Sequence, residues 1–132
     1  MIAVVDYGSG NLHSVAKAFE AIGAEIRVAS VPADLERAER IVLPGVGSFA
    51  EGMSSLRASG LVAALTEQVL ERRKPFLGVC LGMQMLADEG SEDGVHAGLG
   101  WIHGRVVPLK PSDPTLKIPH MGWNEVAPAA AA

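Results

Sequence analysis

One cysteine, Cys80, is the whole complement of thiols, so the chain has no internal disulfide and no Cys-rich zinc site. There is no excess of basic charge. Eleven Lys and Arg stand against 15 Asp and Glu, a net charge of −4, which gives nucleic acid and anionic membranes no electrostatic reason to bind. No apolar run approaches the roughly 18 residues of a membrane span, and Met1 to Gly8 lack the basic flank of a signal peptide. No repeat or low-complexity tract precedes the closing Ala129–Ala132. What remains is ordinary for a globular chain: 48% of residues are hydrophobic and 20% charged, over 132 residues that suit one domain, 1–132, with one core. The expectation is a soluble, cytoplasmic domain without metal or cofactor.

Strand and helix patterns alternate along the chain. Ile2–Val5 is a short apolar run ended by Asp6, as expected of a strand buried on both faces. After Gly8-Ser9-Gly10, the spacing of Leu12, Val15, Ala16, Phe19 and Ile22 predicts one face of a helix that stops at Gly23. Further strands are predicted over Glu25–Ala29, Arg40–Leu43 and Phe76–Val79, with a short surface helix over Ala33–Glu39. Helical patterns cross Glu51–Arg57 and, more strongly, Leu61–Arg73. The second has Arg72, Arg73 and Lys74 where a helix dipole favours cations, and Pro75 stops it. From Gly90 onward only a strand near Gly104–Leu109 is predicted.

Such alternation implies an α/β fold, a parallel sheet with helices on its faces, whose ligands sit at the carboxyl ends of the strands. The loops Tyr7–Asn11, Pro44–Phe49 and Cys80–Gln84 are therefore the candidate site. Gly78-Val79-Cys80-Leu81-Gly82 has the form Gly-x-nucleophile-x-Gly of a strand-to-helix elbow, in which a Cβ at either glycine would crowd the turn. The elbow sets the thiol at a helix N-terminus, where free N–H groups and the dipole favour the thiolate. It also places the N–H of Leu81 to bind an oxyanion. A lone cysteine at a strand end is more often an inert core thiol, but the paired glycines reverse that balance. Pro44-Gly45-Val46-Gly47 lacks the spacing of a nucleotide-binding loop, and beside the elbow it becomes a second source of oxyanion donors.

These motifs, with Gln84 after the elbow and Pro119-His120-Met121-Gly122-Trp123-Asn124 downstream, resemble the class I (triad) glutamine amidotransferases of flavodoxin-like fold. Within that class the likeness is to glutaminase subunits of imidazole glycerol phosphate synthase, an enzyme of histidine biosynthesis, and it runs from Ile2 to about Val126. The resemblance implies Cys80 as nucleophile and Leu81, with the Val46–Gly47 peptide, as oxyanion hole. It further implies Gly47, Gln84 and Glu92 as contacts of the glutamine, Glu92 at its α-ammonium. The simpler view of Glu92 is one more acid in a solvated run, Asp88–Asp93. Asn11, Met121 and Trp123 would face a (β/α)8-barrel cyclase subunit that receives the ammonia. His120 belongs to that interface motif and is not implied as a base.

The class completes its triad with His-x-Glu near the C-terminus. None of His13, His96, His103 and His120 has Glu two residues on. The chain therefore reads as the N-terminal two-thirds of a domain that typically has about 200 residues. Three other readings stay open: a partner-binding fragment without catalysis, a glutaminase subunit of another amidotransferase, and a different cysteine hydrolase built on a similar elbow.

Overall fold

The structure, a computed structural model, describes residues 1–127; the closing Ala129–Ala132 lies outside them. Four short, mostly apolar segments form the main sheet: β1 (Ile2–Val5), β2 (Ile26–Ala29), β3 (Arg40–Leu43) and β4 (Phe76–Gly78). All pair in parallel, in the order β2-β1-β3-β4. Ala3, Val4 and Val5 are fully buried, as a central parallel strand requires. The outer strands are less covered, with Val28 44% and Leu77 50% exposed.

Register divides the sheet into two faces. Val28, Val4, Val42 and Leu77 stand in one row, while Ala3, Val5, Ile41 and Leu43 point the other way into the main core. That core is completed by Leu35 of α2 (Pro32–Arg37), by Phe49, Met53 and Leu56 of α3 (Phe49–Ala58), and by Leu65 of α4 (Val62–Thr66). The other face carries α1 (Leu12–Glu20), capped by the Asn11 side chain accepting from Ser14 N at 3.1 Å. The predicted stripe of α1 is only half-buried, and Ile22 lies beyond the helix, 76% exposed.

The long helix predicted over Leu61–Arg73 differs in detail. After α4 the backbone widens into a π-helical turn, Glu67–Glu71, and Arg73 takes a positive φ of 54°. Gln68 in that turn is buried, and its side-chain oxygen has no hydrogen-bond partner. Lys74 does not serve its own helix end. Its ammonium donates to the carbonyls of Leu35 and Glu36 at 2.9 and 2.8 Å, capping α2 instead.

Beyond the four-residue α5 (Leu81–Gln84), a second sheet appears that the sequence did not announce. It is built from β5 (Ala87–Gly90), β6 (His96–Ala97) and β7 (Ile102–Val106), in the order β6-β5-β7. The strand predicted at Gly104–Leu109 is β7, which starts two residues earlier and ends before Pro108. β5 pairs parallel with β7 and antiparallel with β6. Its acids, taken from sequence as a solvated run, are engaged. Asp88 accepts from the N–H of Gly104 at 3.0 Å, and Glu89 pairs with Arg105 at 2.6 Å. No described helix is long and apolar enough to cross a membrane.

Candidate active site

All three predicted loops lie at the carboxyl end of the main sheet, as the parallel topology requires. β3 lies between β1 and β4, so the loop at Pro44 has the Tyr7–Asn11 loop on one side and Cys80 on the other. Cys80 follows β4 by two residues and precedes α5. Its backbone has φ 55° and ψ −119°, a combination that a side chain with a Cβ rarely adopts. The thiol is exposed. Strain at a reactive side chain, held in place by its surroundings, is the mark of a nucleophile elbow.

The surroundings that hold the turn are the flanking glycines. A Cβ at Gly78 would come within 2.6 Å of the Met83 Cα, and one at Gly82 would overlap the carbonyl oxygen of Leu43. The crowding expected at both positions is therefore present. The helix behind the thiol is shorter than expected. α5 is one turn, so what it offers at its N-terminus is its free N–H groups rather than a long macrodipole. Leu81 is buried, which fixes the peptide that follows Cys80.

The second loop is anchored at its start and open at its tip. Pro44 and Gly45 are buried, while Val46 and Gly47 are exposed. Gly45 is wedged tightly, since a Cβ there would lie 2.8 Å from both the N of Gly82 and the Tyr7 oxygen. The Tyr7 hydroxyl donates to the Pro44 carbonyl at 3.0 Å. Burial raises the Tyr7 phenol above its ordinary pKa, so it remains a donor at neutral pH. The Ser9 hydroxyl donates to the Val46 carbonyl at 3.1 Å. At Gly47 a Cβ would not be crowded, since the nearest atom would be a Glu51 oxygen at 3.6 Å. The constraint is a φ of +92°.

Glu92 is less free than a solvated acid. It accepts from the N–H of Phe49 at 2.9 Å, tying the β5–β6 turn of the second sheet to the start of α3, and the flat face of Gly90 packs on the Phe49 ring. No signal in the sequence pointed to this contact, nor to Tyr7 or Ser9 as partners of the Pro44 loop. Gln84 sits one turn after Cys80, half-buried, and lines a cleft of about 290 Å³ against β7. Asn11, Met121 and Trp123 are exposed, Met121 at 85% and Trp123 fully. A larger cavity, about 560 Å³, lies within the segment from Leu109 to Met121 and includes none of the residues around Cys80. Among the described residues no cluster of His, Cys, Asp or Glu could hold a metal ion.

A family model described as glutamine amidotransferase class-I matches residues 3–129. The chain belongs to the class I glutamine amidotransferases. Among the relatives of this amidotransferase chain is imidazole glycerol phosphate synthase subunit HisH of Zymomonas mobilis, 54% identical over 129 residues. Subunit HisH 1 of Campylobacter jejuni is 56% identical over 126 residues. These alignments take in 95% and 96% of the chain but only 61% and 62% of the relatives' own lengths. A solved structure titled as a crystal structure of glutamine amidotransferase superposes with a TM-score of 0.68 at 20% identity. It covers 81% of this chain and 56% of that one, and shows the fold.

Proposed function

We propose that this chain is the greater part of the amidotransferase domain of a glutaminase subunit of imidazole glycerol phosphate synthase, working in the cytoplasm in histidine biosynthesis. The observation that carries the reading is the strained Cys80 elbow, enforced by two glycines that no side chain can replace. The likeness to the HisH subunits narrows the reading to this enzyme.

The chemistry follows from the site. The Cys80 sulfur attacks the side-chain amide carbon of glutamine, and the oxygen gains negative charge facing the N–H of Leu81 and the Val46–Gly47 peptide. Collapse of the adduct breaks the C–N bond, and the nitrogen leaves as ammonia once it has received a proton. Water then cleaves the γ-glutamyl thioester, giving glutamate and the free thiol. Gln84 and Glu92 would hold the substrate. Glu92 spends one carboxylate oxygen on the N–H of Phe49 and keeps the other for the α-ammonium. Asn11, Met121 and Trp123 would face a (β/α)8-barrel cyclase that consumes the ammonia, forming a heterodimer.

The test is to mix the full-length subunit with the barrel subunit and measure glutamate released from glutamine. Release that rises when the partner is added is expected; none with the partner present overturns the reading. The lack of His-x-Glu in these 132 residues favours a second reading for the stretch taken alone, a partner-binding unit without turnover. Expressed as residues 1–132, it is expected to bind the barrel subunit yet release no glutamate, because an acid–base group is typically worth about 10² to 10⁴ in rate.

The tip of the Pro44 loop gives a separate expectation. Gly47→Ala places a Cβ at positive φ, costing about 1–2 kcal/mol of stability. Turnover should fall further than that loss explains, because the same strain pushes the peptide out of its orientation. Denaturation midpoints and kcat measured side by side decide it, and an unchanged kcat removes the loop from the mechanism.

A further inference from the structure

We propose that Ser91 and His96 are positioning residues that fix the turn between β5 and β6 so that the Glu92 carboxylate meets the α-ammonium of the substrate glutamine. This rests on the glutaminase reading and adds to it the means by which the acid that recognises a free amino acid is aimed.

Glu92 is exposed, so packing does not hold it. A glutamate side chain is rich in rotamers, and on a free turn it would sample many positions. Here the backbone on either side of it is tied. On one side, the N–H and the hydroxyl of Ser91 both donate to the carbonyl of Val106, at 3.0 and 3.2 Å. They carry the pairing of β5 with β7 one residue beyond Gly90 and Val106, up to the acid. On the other side, Asp93 takes a φ of 51° and Gly94 a φ of 109°, which reverses the chain at once. His96 spans that reversal, its ring Nε2 donating to the Asp93 carbonyl at 3.1 Å. A carbonyl only accepts, so the proton lies on Nε2, and the bond exists whether or not Nδ1 carries one too.

The turn is also set against α3. The Glu92 carboxylate takes the N–H of Phe49, and Gly90 lies on the Phe49 ring, where a Cβ would come within 2.6 Å. About two turns further along the helix, Arg57 donates to the Ala97 carbonyl of β6 at 2.8 Å. Joined to the helix at both places, the hairpin leaves the second Glu92 oxygen little freedom. An α-ammonium contact is made alike in the ground state and the transition state, because the bond that breaks is at the other end of the substrate. It therefore acts on KM rather than on kcat.

The experiment uses the full-length subunit with the barrel subunit, as wild type, Ser91→Ala, Ser91→Thr, His96→Ala and Glu92→Gln. Two amides are compared, glutamine and 4-carbamoylbutanoate, which is glutamine without its α-ammonium. Ser91→Ala and His96→Ala are each expected to raise KM for glutamine about 3- to 10-fold, the worth of one net hydrogen bond, with kcat changed less than about twofold. Glu92→Gln should raise KM at least as far, and Ser91→Thr, which keeps the hydroxyl, should restore it. For 4-carbamoylbutanoate, the slope of ammonia release against concentration gives kcat/KM. There Ser91→Ala and His96→Ala should match wild type within about twofold, whereas a merely structural defect would lower both amides alike. An unchanged KM for glutamine in either variant, a loss in kcat alone, or equal losses on the two amides overturns the proposal. Glu92→Gln with a wild-type KM removes the ammonium contact, and the role of Ser91 and His96 falls with it. Wild type that releases ammonia from neither amide defeats the glutaminase reading instead. A crystal structure of Ser91→Ala then decides whether the turn aims Glu92: a carboxylate that has left the Phe49 N–H supports it, and one still in place overturns it.

Discussion

Replacing Cys80 by alanine in the full-length subunit is expected to reduce glutamate release by at least about 10⁴-fold, as loss of a nucleophile does in enzymes of this kind. The complex with the barrel subunit should form with unchanged affinity. The sulfur is exposed, so its removal opens no cavity, and alanine keeps the Cβ that the backbone already tolerates at φ 55°. Supplied with ammonia directly, the partner should still turn over. Cys80→Gly adds a second readout. It loses activity equally, yet it relieves the positive-φ strain, a conformation that costs on the order of 1–3 kcal/mol. Its thermal midpoint should therefore lie at or above that of Cys80→Ala. A Cys80→Ala enzyme retaining even a tenth of the rate would leave the nucleophile elsewhere.

The other large effect is on folding. Gly82→Ala is expected to cost several kcal/mol, a large share of the roughly 5–15 kcal/mol by which domains are stable, and to sharply reduce soluble yield. The added carbon would overlap the Leu43 carbonyl oxygen and come within 2.8 Å of the Leu43 carbonyl carbon. Neither can give way easily, because that oxygen accepts the N–H of Val79 at 2.9 Å, continuing the pairing of β3 with β4. Gly122→Ala is the control: its Cβ meets nothing within 4 Å and its φ is not positive, so it should fall within about 0.5 kcal/mol of wild type. A Gly82→Ala protein with a wild-type urea midpoint would rule out the close approach of elbow and strand.

The parallel sheet and the elbow were legible in the sequence because both rest on local rules. Ile2–Val5 and Ile41–Leu43 are unbroken apolar runs, and both lie in strands with the predicted bounds, Ile2–Val5 and Arg40–Leu43. Gly78 and Gly82 announce a turn that only glycine fits, and the geometry agrees. The second sheet was not legible. Ala87–Gly90 contains two acids and one glycine among four residues, without alternation, and becomes a strand through its pairing with β6 and β7. The π-helical turn at Glu67–Glu71 was hidden for a similar reason, since a helical hydrophobic pattern does not record where the backbone widens. At the site, the candidate residues were easier to read than the contacts that support them. Cys80 and Leu81 follow from spacing, but the contacts of Ser9, Tyr7 and Glu92 with the Pro44–Phe49 segment join positions about 40 apart and leave no local trace.

Glu92 and Tyr7 together have a mechanical consequence. One secures the N–H of Phe49 and the other the carbonyl of Pro44, so the few residues between them are clamped at both ends. A segment so short, with fixed ends, cannot swing as a lid. It can only rotate its peptide planes about the line joining its ends, as a crankshaft turns between bearings. Such a rotation displaces no helix or strand and leaves the radius of gyration unchanged. Scattering and overall shape would therefore miss it, while nuclear magnetic resonance at the Gly47 amide would see it. Loop rearrangements of that size take on the order of nanoseconds to microseconds.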